Sequence, residues 1–293
     1  MSSLQVNDAY SYGSRAADTI DDAQAWNKAF AASVVNGLPV YIRPGVYRAA
    51  TPINWTGAKR VDVIADNVVL EWHGPVYQVV LSYGGIPGVT IRGARLRGLT
   101  IRNPGNINGC TGVRLQNMHN ADIDLEDVSG FDNGVELRAY ASYFAYNILR
   151  MNVSNCFTSL YARTQPNSPA SWMNGLTFNH CRFGPRNGAA STFVEAVFAG
   201  QAFDNWVFNR CFFEASGDGG LVTLLKASKC WAWRFTDCHF EAGTGKFKWD
   251  LGDDVHVYID GGERPALDTT GWVQMAASYI HDPSGGWSRT IRV

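Results

Sequence analysis

The chain has 293 residues, 46% of them hydrophobic, with 25 Lys and Arg against 26 Asp and Glu. That composition supports a large buried core and excludes a disordered chain, and its balanced charge offers no global field for nucleic acid. No basic stretch leads into an apolar segment at the start, and no run of about 18 apolar residues occurs, so neither a signal peptide nor membrane insertion is expected.

In chain order, Thr19-Ile20-Asp21-Asp22 reads as a helix start, with Thr19 as the cap and the aspartates at the positive end of the helix dipole. Ala23, Trp26, Phe30 and Val34 recur at helical spacing, and Asn36-Gly37 ends the helix. Leu38 to Ile42 reads as a strand and Arg43 to Val46 as a turn. The run Asp21 to Trp26, followed by Val40 to Arg48, resembles the N-terminal signature of pectate-lyase-like β-helix proteins. In that family paired aspartates open a helix that is followed by a strand and a Pro-Gly turn. Arg43 stands where the family usually has proline. The resemblance implies a right-handed parallel β-helix, an all-β solenoid whose N-terminal helix covers the open end of the stack.

Beyond residue 50 the chain repeats. Strands begin at Gly88, Gly112, Gly134, Ser159, Phe193, Leu221 and Lys246, 22 to 34 residues apart, the period of a solenoid. A second ladder aligns three segments without gaps, from Leu176, Trp206 and Trp233. Its inward columns are Leu176/Trp206/Trp233, Phe178/Phe208/Phe235, Cys181/Cys211/Cys238 and Phe183/Phe213/Phe240. Stacking like residues explains these cysteines without a disulfide or a metal, and makes most tryptophans core. Asn179 and Asn209 are expected to bond backbone at a coil corner. The expected organisation is one continuous domain: residues 1–50 with the cap and first strand, 51–262 as coils, and 263–293 as a C-terminal cap or oligomerisation segment. The stretch 184–191 reads as an inserted loop.

Candidate chemistry lies at outward positions. One column of the first strand comprises Arg114, Glu136, Tyr161, Glu195, Thr223 and Lys248, beside Arg92, Gln116, Arg138, Arg163, Val197, Leu225 and Asp250. Its arginines and Tyr161 suit a polysaccharide, by ion pairing and ring stacking. The other reading is a solvated face. The ladder's outward side offers Arg182, Arg210, Phe212, Glu214, Asp237, His239 and Glu241. Glu214 and Glu241 fall one coil apart, as a pair of carboxylates for glycoside hydrolysis would, or as two copies of one turn phrase. The catalytic candidates are thus Glu214, Glu241, Asp237, Glu136 and Glu195. The substrate-binding candidates are Arg92, Arg114, Arg138, Tyr161, Arg163 and His239. Asp122, Asp124, Glu126 and Asp127 form an acidic stretch, with Arg150 expected above Asp124 and Glu126, but no second acidic row supports calcium. No metal and no cofactor are expected.

The resemblance implies a phage tailspike-like protein that binds and cleaves a bacterial surface polysaccharide, and the lack of an evident calcium site favours hydrolysis over elimination. The alternative is a non-catalytic receptor-binding or structural spike. Neither the Asn-Thr-Asp and Gly-His-Gly pattern of polygalacturonases nor the Trp-Ile-Asp-His of pectate lyases occurs, so no catalytic residue is carried over. The resemblance also implies a homotrimer on the virion tail, made in a host cytoplasm and joined through an attachment protein. A secreted enzyme without a recognisable signal peptide is the remaining option. In a trimer, Val197, Leu225 and Phe212 would be buried between chains.

Overall fold

The computed structural model describes residues 5–165, 168, 171–186, 191–197, 203–215, 221–241, 246–251, 255–261 and 279–281. The chain winds into a right-handed parallel β-solenoid. Its strands form an eight-stranded sheet and a twenty-stranded sheet, and every strand pairing is parallel between successive coils. The eight-stranded sheet runs from Ile53–Gly57 through Val79–Gly85, Thr111–Gln116, Asn133–Ala139, Thr158–Thr164, Thr192–Val197 and Leu221–Ala227 to Lys246–Leu251.

Helix α1 spans Ala23–Asn36 and ends at Gly37, which adopts a left-handed conformation. It buries Ala23, Trp26, Ala29, Phe30 and Ser33, one face at helical spacing. Trp26 and Phe30 stack on Trp55 of the first strand of the eight-stranded sheet, with centroids 5.8 and 6.1 Å apart. The helix therefore covers an edge that would otherwise template pairing with another chain. Thr19 is not its cap. The Asp21 side chain accepts the N–H of Ala23 and also holds Ala50 and Thr51. Asp22 is buried and accepts the N–H groups of Arg15 and Arg48, which ties the N-terminal arm to strand Gly45–Ala49. The paired aspartates thus fasten the cap to the first coil. Arg43, where the family usually has proline, pairs with Asp8 at 2.7 Å and lies over Tyr10.

The predicted ladder of inward residues is present. All twelve are buried. Phe178, Phe208 and Phe235 stack nearly parallel at 4.5 and 4.7 Å, and Trp206 lies 4.3 Å from Trp233. Each such pair is worth about 0.5–1.5 kcal/mol beyond the area it buries. The six cysteines are buried free thiols. Cys211 and Cys238 donate to the carbonyls of Phe178 and Phe208 in the preceding coil. Burial and neighbouring thiols push both well above the usual thiol range.

Several positions differ from expectation. The strand assigned at Gly88 is instead Val79–Gly85, which pairs Leu81 with Val113. Asn179 and Asn209 bond each other's side chains, at 2.8 Å, rather than backbone. In the fifth and sixth coils Glu195 pairs with Lys226, not with Thr223, and Asp250 pairs with Lys226, not with Leu225, while Thr223 does pair with Lys248. Leu225 is accordingly buried and unavailable to a subunit interface. A bulge between Thr223 and Leu225 brings both Leu224 and Leu225 inward, so the apolar pattern there admits two phases. Most of 263–293, including Trp272 and Trp287, and the centre of the 184–191 loop lie outside the described residues, as do the side chains of Val197 and Lys248. Strand Tyr279–His281 pairs with Val255–Asp260.

Candidate functional site

The outer face of the eight-stranded sheet gathers most of the predicted binding residues. Period-two alternation sends Val113, Val135 and Leu160 inward and leaves their neighbours on the outer face. Arg114, Glu136, Tyr161, Glu195, Lys226 and Asp250 follow one another across six strands, with Gln116, Arg138 and Arg163 in the adjacent column.

Glu136 is the centre of this face. Its side chain is only 2% exposed, yet it carries two charge-assisted bonds, to Arg114 Nε at 2.7 Å and to Arg163 Nε at 2.5 Å. One carboxylate thus orients two guanidiniums. Arg138 lies between them with its guanidinium over the Tyr140 ring at 4.5 Å. Among the described residues no carboxylate ion-pairs with it. Burial, together with Arg114 and Arg163, lowers the Arg138 pKa from its usual value. Arg163 also lies over Tyr161, at 5.7 Å. Two guanidiniums therefore share one carboxylate and a third, Arg138, stands beside them, leaving two surplus positive charges beside two tyrosine rings. Further along the face, Glu195 holds Lys226 at 3.0 Å and raises its pKa.

Arg92 does not belong to this face. It lies on strand Ile91–Arg92 of the other sheet, in register with His119. The sequence reading missed Tyr140 and Lys226. Lys226 carries a signal, since the coil-to-coil offset between Thr192 and Thr223 applied to Glu195 reaches it. Tyr140 stands beyond the end of its strand, where alternation no longer points to a face.

A second group lies at the ends of strands Phe212–Glu214 and His239–Glu241. The register pairs Phe212 with His239 and Glu214 with Glu241, so the two carboxylates do stand on adjacent strands. Their surroundings differ. Glu214 ion-pairs with Arg182, whereas Glu241 is 62% exposed, with His239 Nε2 at 3.5 Å. Phe212 is exposed and its ring lies 5.6 Å from that of His239. Asp237 sits apart from the pair, at a corner. There it takes a left-handed backbone conformation and its N–H bonds the carbonyl of Asp260.

In the acidic stretch, Asp124 is in register with Arg150, as expected. Arg150 bonds both Asp122 and Asp124, which makes these carboxylates an ion-pair cluster. No group of three His, Cys, Asp or Glu side chains is placed to hold a metal among the described residues.

No protein-family model matches the chain, and no curated protein matches it. Among solved structures, ORF18 of Geobacillus virus E2 is 14% identical over 94% of this chain and 61% of its own, with a TM-score of 0.55. The chain is a right-handed β-helix of that kind. It spans less than two thirds of the viral protein's length. The surface adhesin PfbA of Streptococcus pneumoniae is 13% identical over 95% of this chain and 92% of its own, at a TM-score of 0.48. Tailspike protein 3 of bacteriophage CBA120 is 14% identical over 94% and 56%, at 0.32. At these identities the likeness is one of fold.

Proposed function

We propose that the protein is a tailspike-like polysaccharide-binding solenoid, and that the eight-stranded sheet grips an acidic bacterial surface polysaccharide. The carrying observation is the Arg114–Glu136–Arg163 arrangement with Arg138 between them. It holds surplus positive charge on a flat, rigid face beside Tyr161 and Tyr140. Guanidinium forks pair with sugar carboxylates, and half-buried tyrosine rings offer edges and partial faces to a pyranose ring. The resemblance supports the rest of the reading: a homotrimer on the virion tail, joined through an attachment protein. Phe212 remains available for burial between copies. Sedimentation at equilibrium tests the trimer, and a monomer would end that part of the reading.

The grip is tested with acidic capsular polysaccharides and their carboxyl-reduced forms. The acidic polymer should bind, with an affinity that falls as salt rises. Arg138→Met should weaken it about tenfold or more, in line with a lost charged bond. Equal binding of acidic and reduced forms would refute it.

A hydrolytic reading has its own support in the unequal environments of Glu214 and Glu241. Arg182 occupies Glu214, whereas Glu241 is open to a substrate oxygen. Release of reducing ends without the ultraviolet absorbance of an unsaturated uronate, lost in Glu241→Gln, is the expected result. Binding without cleavage would leave a receptor-binding spike.

A further inference from the structure

On the larger sheet, away from the arginine face, the outer side of the early coils holds a cleft of about 330 Å3. Strands Val63–Trp72, Arg95–Arg102, Asp122–Ser129 and Ile148–Cys156 supply its floor and walls. Arg95 is in register with Asp122, and Arg97 with Asp124, which is in turn in register with Arg150. Ile64 and Pro39 add the apolar part of the lining.

The cleft's charges cancel. Asp62 is held by Arg60, Arg97 by Asp66, and Asp122 with Asp124 by Arg150. Two carboxylates share the one Arg150, so they keep acceptor positions to spare. Arg95 is exposed, and its guanidinium has no ion-pair partner among the described residues, so it keeps donors to spare. Its backbone is fixed from both sides. Its N–H donates to Asp62 and its carbonyl accepts the buried Tyr83 hydroxyl, at 3.1 and 3.0 Å.

We infer that this cleft binds a neutral pyranose unit, as a sugar site separate from the acidic grip. A hydroxyl both donates and accepts, so vicinal hydroxyls can use the spare acceptors of Asp122 and Asp124 and the spare donors of Arg95 together. A neutral ligand leaves the cancelled charges cancelled. A uronate would instead bring its carboxylate beside Asp122 and Asp124. The volume lies at the small end of ligand sites, which run from about 300 to 1,000 Å3, and suits one or two sugar units. The inference rests on the polysaccharide reading for the class of ligand.

Saturation-transfer NMR with methyl glucoside, methyl galactoside, methyl mannoside and glucuronate tests it. At least one neutral glycoside should bind, with little dependence on salt. Arg95→Gln should weaken that binding by at least about tenfold, the loss of a hydrogen bond to a charged group. Arg95→Gln breaks no ion pair, so its folding is secure, and Asp124→Asn provides a second variant. Arg138→Met should leave the binding unchanged. The inference is overturned if none of the neutral glycosides binds, if glucuronate binds the Arg138→Met protein more tightly than they do, or if Arg95→Gln has no effect. Acidic-polymer binding sensitive to Arg138→Met would still stand in each case, so failure of the cleft and failure of the grip are distinguishable.

Discussion

Replacing Glu136 by Gln keeps the shape of the side chain and removes its charge. Both guanidiniums bonded to it, at 2.7 and 2.5 Å, then lose the charge they share, one of them faces an amide N–H that cannot accept, and Arg138 stands between them. Breaking a fully buried pair costs about 3–5 kcal/mol. Arg114 and Arg163 keep 20% and 37% of their side-chain surface, so water recovers part of that loss. A destabilisation of about 2–4 kcal/mol is therefore expected. Urea unfolding, followed by the fluorescence of the buried tryptophans, measures it. Added salt screens the repulsion among the three arginines, so the gap to the parent protein should narrow as salt rises. Adding Arg114→Met to Glu136→Gln should recover part of the loss. A deficit below about 1 kcal/mol that ignores salt, the range of an exposed pair, would refute this account of the face. Glu136→Gln should also bind acidic polymer at least as well as the parent. If cleavage occurs, its loss in a folded Glu136→Gln protein would instead make Glu136 a catalytic group.

Phe208 is stacked between Phe178 and Phe235 and is fully buried, so Phe208→Ala should cost about 3–5 kcal/mol by the same urea measurement. The native protein should leave all six cysteines unreactive towards a thiol reagent at mildly alkaline pH, and denaturation should release six. Cys156 is pushed up to about 12 by burial, so a fast-reacting native thiol would contradict the packing. His119 has its pKa lowered, first by burial and then by Arg92. The native state thus disfavours the protonated ring. Its contribution is complete above the unfolded value of 6.5 and is lost as pH falls through the lower native one. His119→Gln should flatten the stability profile in that window, and an unchanged profile would remove His119 from the account.

The ladder from Leu176 to Phe240 was legible because identical side chains recur at identical offsets and each must fill the same slot in a stack. The face built on Arg114, Glu136, Tyr161 and Glu195 was legible through period-two alternation within single strands. Register between strands was less so. At Thr223 the run Leu221-Val222-Thr223-Leu224-Leu225 satisfies burial in two phases, and the bulge that decides between them depends on the neighbouring strand. The strand at Val79–Gly85 was missed because its closing Gly84-Gly85 reads as a turn. A glycine is required there because a side chain at Gly84 would run into the carbonyl of Gln116 one coil on. Ion pairing was out of reach. Nothing in the order of residues says that Glu136 is shared by two arginines or that Asp122 and Asp124 share Arg150. Those choices depend on rotamers across neighbouring coils.

The helical cap at one end has a consequence for synthesis. Each coil pairs chiefly with the coils on either side of it, and the cap and first coil precede the other coils in the chain. A nascent chain can therefore close the capped end of the solenoid before the later coils emerge, and then add them one at a time, each on a finished template. At every stage only the newest sheet edge is open. A ribosomal pause in the middle of a coil would expose one unpaired strand and leave the coils below it intact.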